Sequence, residues 1–194
     1  MSNLFQKLEL AAFRKGITPR TAESRDWFRR QAQKLGKINR EGLMKEPELQ
    51  KVNRQIRGGM YMFFYDPKTK ETLPYYDTFP LTIIIGPAPG GFTGLNLHYL
   101  PMLLRAKLLD GLLDIASDDN YDENTRFILK YNMLKRASSL KWFKPCYKRY
   151  LTANVKSRFA RVPAPEWEIA TFLPSQDFQK SSKGAIWKDS RGMI

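Results

Sequence analysis

The sequence predicts an α+β fold: a small curled antiparallel sheet, SH3-like in its curl, over about residues 58–100, packed by helices and flanked by basic helical N- and C-terminal arms. Three observations carry that expectation. Met60–Tyr65 and Leu81–Ile85 are short runs rich in β-branched and aromatic residues, bounded by Gly and Pro, which is the pattern of buried strands. After Pro101, Leu104, Leu108, Leu112 and Ile115 recur at intervals of three and four, the spacing of a helix with one buried face. Charge, finally, is segregated: residues 1–57 carry a net +8, residues 58–125 a net −5 and residues 126–194 a net +11.

In chain order, Leu4, Phe5, Leu8, Ala11 and Ala12 share one face of a helix over residues 3–15. Such a face suits an ordinary packed helix, or one lying on a membrane or a partner. Thr18 as cap, Pro19 at the first helical position and Gly36 past the end predict a second helix, with Arg25, Arg29 and Arg30 clustered on it and Trp27 and Phe28 to pack it. A third, short helix is expected from Pro47 to about Ile56, stopped by Gly58-Gly59. The strand Met60–Tyr65 then leads into Asp66-Pro67-Lys68-Thr69-Lys70, where Asp followed by Pro suits a type I turn and predicts a hairpin tip. Pro74 and Pro80 make Glu71–Phe79 an edge or an irregular arc. Leu81–Ile85 is the next strand, Gly86–Gly91 a loop and Phe92–Leu97 a further strand.

The leucine-rich helix after Pro101 is expected in the core. A helix over Glu123–Ser138 carries Phe127, Tyr131 and Leu134 on one side and cations on the other. Pro145 is expected to start a helix running to about Ala160, with Tyr147, Tyr150 and Leu151 on one face. Pro165 opens a short helix that Pro174 ends, and the polar tail, with Phe178 and Trp187 isolated in it, reads as an extended segment that orders on a neighbour. The expected organisation is a basic helical region 1–57, a sheet with its core helix over 58–116, a basic helical region 117–173 and a tail 174–194.

At 194 residues the chain is long enough for a genuine core. No apolar run approaches the ~18 residues of a membrane helix, and the first residues lack the apolar core of a signal peptide. One cysteine excludes an internal disulfide, and one histidine beside it excludes the usual zinc sets. The net charge of +14 therefore dominates, and points to a polyanion or an acidic protein surface as partner.

The sharpest functional signal lies in residues 126–165, which contain no acid. Arg126, Lys130, Lys135, Arg136, Lys141, Lys144, Lys148, Arg149, Lys156, Arg158 and Arg161 are the candidate DNA- or polyanion-binding residues there, joined by Arg25, Arg29 and Arg30. Lysines and arginines neutralise phosphates, and interleaved aromatics stack on exposed bases or simply fill a core. No helix-turn-helix, zinc finger or RNA-recognition signature supports sequence-specific reading. Asp110, Asp114 and Asp118 fall on one helical face, with Asp119, Asp122 and Glu123 close behind, and could hold Mg²⁺ for a nuclease; a solvated face and helix caps explain the same acids. His98 reads as a structural residue at a strand-to-helix junction rather than a general base. Cys146, between Lys144 and Lys148, reads as packing rather than a reactive thiol. The glycines at 86–94 match neither a phosphate-binding loop nor a dinucleotide fingerprint, so no cofactor and no metal is expected.

The strings YDPKTKETLPYYDTFPL, GFTGLNLHYLP and KPCYKRYLTANVKSRF resemble those of small basic virion proteins of T-even-type tailed phages, a family of DNA end protectors and head-completion factors. The resemblance covers about residues 58–194 and carries no assigned functional residues. It implies a non-enzymatic virion component that binds the end of packaged double-stranded DNA or plugs the particle, without membrane contact. It also implies other virion proteins (portal, neck, tail or hub) as partners, and a location in the virion after assembly in the host cytoplasm. Two alternatives stay open: a purely structural tail, baseplate-hub or neck protein without DNA contact, and the metal-dependent nuclease. Asp66, Pro67 and Lys68 at the expected hairpin tip, with Trp187 in the tail, are the candidate partner contacts.

Overall fold

The computed structural model describes residues 3–117, 120, 122–139 and 143–192, and its architecture is α+β. The chain opens with three helices, α1 (Leu4–Arg14), α2 (Ala22–Lys34) and α3 (Arg40–Leu43). It then builds β1 (Gln50–Val52), β2 (Met60–Met62), β3 (Tyr76–Asp77), β4 (Leu81–Ala88) and β5 (Gly91–Asn96). Two long helices follow, α4 (Met102–Ser117) and α5 (Glu123–Ser139), then β6 (Tyr147–Leu151), β7 (Phe159–Val162), α6 (Trp167–Phe172), β8 (Phe178–Gln179) and α7 (Lys183–Gly192). The main sheet has six antiparallel strands in the order β1-β7-β2-β4-β5-β6, and β3 pairs with β8 in a separate two-stranded ribbon.

Alternation along the strands gives this sheet two different apolar faces. Met60, Met62, Leu81, Ile83, Leu95, Ala160 and Val162 face the helices and join one core that runs from Phe5 in α1 to Ile186 in α7. Tyr61, Phe63, Tyr65, Ile84, Phe92, Tyr150 and Phe159 form a second cluster on the opposite face. The fully buried Phe63 ring sits at its centre, 5.1 Å from Phe159, 5.3 Å from Tyr150 and 5.8 Å from Phe92, all at steep edge-to-face angles. Because strands far apart in sheet order meet through these rings, the sheet is curled around them. Interlocked aromatics of this kind add to simple area burial.

Four local expectations are overturned. Residues 47–56 hold the strand β1 rather than a helix, because Gln50–Val52 pairs with Arg161–Phe159 and covers the edge of β7; pairing partners distant in sequence override local propensity. Residues 145–160 are not a helix either: after a single 3-10 turn the segment forms β6 beside β5, and Phe159–Val162 inserts as β7 between β1 and β2. Tyr150 and Phe159 are the aromatics that the second face needs, and only a strand period delivers both. Asp66–Lys70 does turn, with Lys70 N–H donating to Pro67 O, but its flanks form no ladder, sharing the single backbone bond from Tyr65 N–H to Thr78 O at 3.0 Å. Tyr65 bridges Val155 and the Tyr76–Asp77 segment pairs with Phe178–Gln179 instead. The Gly86–Gly91 loop shrinks to Pro89-Gly90, since β4 continues to Ala88 opposite Gly91; Gly90 at φ +73° behind a proline is the type II arrangement.

The terminal segments also differ from free arms. Phe5, Leu8 and Ala12 of α1, and Ser24, Phe28 and Ala32 of α2, are buried. The second helix starts three residues later than the Thr18 cap predicts: Thr21 caps it, exchanging hydrogen bonds with Ser24, while Arg20 takes a left-handed φ of +62° in the turn before it. The tail is the helix α7, seated through the buried Ile186 and Ser190. Among the described residues no helix is long and apolar enough to cross a membrane.

Gly91 marks where β5 and β6 approach most closely, since a Cβ there would lie 1.8 Å from the Tyr150 carbonyl oxygen. Backbone cannot yield as a side-chain tip can. Gly91→Ala is therefore expected to destabilise the fold by about 1–3 kcal/mol, read as a lower urea midpoint at unchanged slope.

Candidate nucleic-acid interface

A cleft of about 400 Å³ opens where the curled sheet meets the 66–73 turn and the β3–β8 ribbon. One wall is the edge strand β6, running through Lys148, Arg149, Tyr150 and Leu151, and the facing wall holds Pro67, Lys68, Thr69 and Leu73. Tyr65, Tyr75, Tyr76 and Tyr99 line the remainder, with Asn96 and Asp77 at the floor. The turn is held in place from outside. Lys180, itself at a left-handed φ of +66°, donates from its ammonium to the carbonyls of Lys70, Glu71 and Leu73 at 2.6, 2.9 and 3.1 Å.

Beneath the floor lies a dense buried polar network. The Asp77 carboxylate accepts from Asn96 Nδ2 at 3.1 Å, His98 Nδ1 at 2.7 Å and the backbone N–H groups of Phe79 and Asp177 at 3.0 Å each. Burial alone would raise its pKa; His98 and these hydrogen bonds outweigh that and hold it below the ordinary value, so it is ionised and its acceptor capacity is filled. Burial, reinforced by the cations Arg105 and Arg40, lowers the pKa of His98. The imidazole is therefore neutral, with Nδ1–H donating to Asp77 and Nε2 accepting from the Ser175 hydroxyl at 3.1 Å.

Asp77, His98 and Ser175 thus repeat the order of a Ser-His-Asp triad, but they are 4%, 0% and 0% exposed. Ser175 does not line the cleft, and what the arrangement can do is fasten the 175–177 segment to the sheet. Arg105 completes the network from α4. Its guanidinium is wholly buried, donates to the carbonyls of Leu100, Thr171 and His98 at 2.8, 3.1 and 3.1 Å, and lies 5.3 Å from the Trp187 ring centre. Burial pulls its pKa down to about 9, which leaves it charged at neutral pH.

Lys148 is the cation set deepest in the cleft. Its ammonium lies 4.0 Å from the centre of the Tyr99 ring, and burial lowers its pKa. Among the described residues it forms no ion pair. Among the described residues the only carboxylate lining the cleft is Asp77, whose oxygens are committed below the floor. A tyrosine-lined cleft with an uncompensated ammonium can take an anionic group together with a flat ring.

The predicted site residues are distributed unevenly around this feature. Pro67, Lys68, Lys148 and Arg149 come together in the cleft, although the Arg149 guanidinium donates to Pro89 O on the β4–β5 turn. Asp66 pairs with Lys70 at 2.9 Å beside it. Lys144 and Lys156 are exposed on either side of β6, Arg158 is exposed and donates to Lys51 O at 3.2 Å, and Arg161 is half-buried on β7. Arg25 pairs with Asp110 on α4, and Arg29 and Arg30 both pair with Asp26. Lys130, Lys135 and Arg136 lie on α5, as does Arg126; Lys141 falls outside the described residues. Trp187 turns inward, its indole N–H donating to His98 O at 2.8 Å.

Of the acids considered for a nuclease, Asp110 is taken by Arg25, and Asp118 and Asp119 fall outside the described residues. Among the described residues no three His, Cys, Asp or Glu side chains are grouped to hold a metal ion. Burial pushes the Cys146 thiol up to about 12, and it donates to Phe143 O, so it is inert packing. Tyr75, Tyr76 and Tyr99 were not legible as site residues. Their only sequence signal is the tyrosine pair between Pro74 and Asp77.

The pH behaviour of the floor follows from the two depressed pKa values. Unfolding frees His98 to take up a proton below about pH 6.5, whereas the folded state resists it, so the stability this burial confers falls as pH drops below that value. The Asp77 contribution is lost only further down, below the ordinary carboxylate range. Urea midpoints measured from pH 7.5 to 5 are expected to fall, and His98→Gln is expected to flatten that fall while costing about 3 kcal/mol at pH 7.5.

Neither the curated proteins nor the solved structures contain a match to this chain. The family model described as phage T4 terminal DNA protecting protein does match, over residues 6–190. That span takes in the sheet, the cleft and the polar floor alike, and the chain belongs to the phage T4 terminal DNA protecting protein family.

Proposed function

We propose that this protein is a non-enzymatic virion component that binds the end of the packaged genome, seats it at the β6 face, and completes or plugs the particle against neighbouring virion proteins such as portal or neck. The observation that carries this reading is Lys148, a half-buried ammonium in a tyrosine-lined cleft that forms no ion pair among the described residues. Desolvating a cation without a partner is costly, and an incoming phosphate would offset that cost.

The surrounding charge supports the same reading. Lys68, Lys144 and Lys156 stand exposed along and opposite β6, where they can neutralise backbone phosphates and release counter-ions. Family membership supports terminal DNA as the ligand. Protection by occupancy needs no chemistry at the bound end: a terminus held in the cleft is one that an enzyme entering from the end cannot reach. Assembly would take place in the host cytoplasm, with the protein retained in the virion.

The test compares a linear duplex with the same duplex closed by loops at both ends, using fluorescence anisotropy. Affinity for the linear form is expected to exceed that for the closed form. It is also expected to fall roughly 100-fold between 50 and 200 mM salt, as for about four phosphate contacts. Equal affinity for the two forms, or none for either at 50 mM salt, would remove end binding as the function.

A further inference from the structure

We infer that the cleft takes one unpaired terminal nucleotide, with its terminal phosphomonoester on Lys148 and its base against the tyrosines; this rests on the end-binding reading above. Size is the first argument. About 400 Å³ is near the small end of the ~300–1,000 Å³ range of small-ligand sites, room for a nucleotide but not for a base pair. The strand must therefore be unpaired where it enters.

Charge is the second. An internal phosphodiester carries one negative charge, whereas a terminal phosphomonoester carries about −1.5 to −2 at neutral pH. A desolvated ammonium distinguishes these more strongly than a surface lysine does, because its attraction is less screened by water. Asp77 keeps its charge in the lining, but its oxygens are turned to four donors, and the lining cations Lys68, Lys148 and Arg149 outnumber it. Lys68, exposed on the facing wall, can close over the phosphate from the other side.

Ring chemistry is the third. Tyr75 and Tyr76 are half-buried on the cleft wall, and Tyr75 and Tyr99 are 6.1 Å apart at an interplanar angle of 34°. That spacing is too narrow to sandwich a base between them, so the base packs over the open side of Tyr75 and Tyr76. Stacking of this kind accepts any base, which suits a protein that reads an end rather than a sequence. The site is thus selective for chain termination twice over, through a volume that admits one nucleotide and through the second phosphate charge.

The experiment uses the full chain and a DNA hairpin with a two-nucleotide single-stranded overhang. One version is phosphorylated at both termini, the other carries hydroxyls at both, and a covalently closed dumbbell gives the baseline. The phosphorylated hairpin is expected to bind at least 10-fold tighter than the hydroxyl form. Lys148→Gln is expected to abolish that difference. Equal binding of both hairpins by the unaltered protein, each above the dumbbell, would overturn the phosphate assignment and leave end binding intact. Equal binding of hairpins and dumbbell would overturn end binding itself. Retention of the phosphate preference by a folded Lys148→Gln protein would also overturn the role given to Lys148.

Discussion

Everything around the cleft hangs on one carboxylate. Asp77 is buried, charged and bound by four donors from three separate stretches of chain: its own turn at Phe79, the strand and junction at Asn96 and His98, and the returning segment at Asp177. A charge so placed would cost several kcal/mol without its partners, so each donor is needed where it is. The constraint spreads outward from there. Arg40 holds the carbonyls of Ser175 and Gln176 and pairs with Asp177, while Arg105 caps the carbonyls of Leu100, His98 and Thr171. An early helix and a mid-chain helix are thereby tied to backbone groups on two sides of the same network. Only a near-complete fold satisfies them all.

This dependence explains which parts of the structure were legible in the sequence. The strands β2, β4 and β5 and the helix α4 have strong local patterns, and each stands where its pattern places it. β1, β6 and β7 do not, because a strand of three to five residues has too few positions for a period to show. Lys148 and Tyr150 share a face only in a strand; spaced among other aromatics and cations, the same residues also satisfy a helical reading. The turn at Asp66–Lys70 was legible as a turn, but its partners were not, since Tyr65 and Tyr76 pair with segments some 90 to 100 residues away. The polar network left almost no trace. A lone histidine, an aspartate after a tyrosine pair and a serine after a proline signal nothing until the fold brings them together.

Charge was legible in amount but not in arrangement. The composition gives +14 and places the cations in two blocks, yet the structure spends many of them on itself. Arg25, Arg29 and Arg30 answer Asp110 and Asp26, Arg105 and Arg40 hold carbonyls, and Lys180 clamps a turn. The residues left to face a ligand are far fewer than the total suggests, and they are graded by burial: Lys144 and Lys156 in open solvent, Lys68 at the cleft wall, Lys148 beneath it.

That gradient bears on how an end could be told from an interior. Exposed lysines attract any stretch of DNA, with a strength that salt erodes, and they confer no preference for a terminus. Preference needs a position that only a terminus can occupy, and it needs that position to stay rigid when empty. An unpaired ammonium under a tyrosine ring would ordinarily be expected to swing toward solvent or find a carboxylate. Here the one carboxylate in the described cleft lining is locked into its own four hydrogen bonds, the turn opposite is pinned by Lys180, and β6 is fixed by the fit of Gly91 against the Tyr150 backbone. The stability held in the floor is thus what allows the cleft above it to keep a cation unsatisfied, and an unsatisfied cation is the feature from which, on the proposed reading, affinity for a terminal phosphate derives.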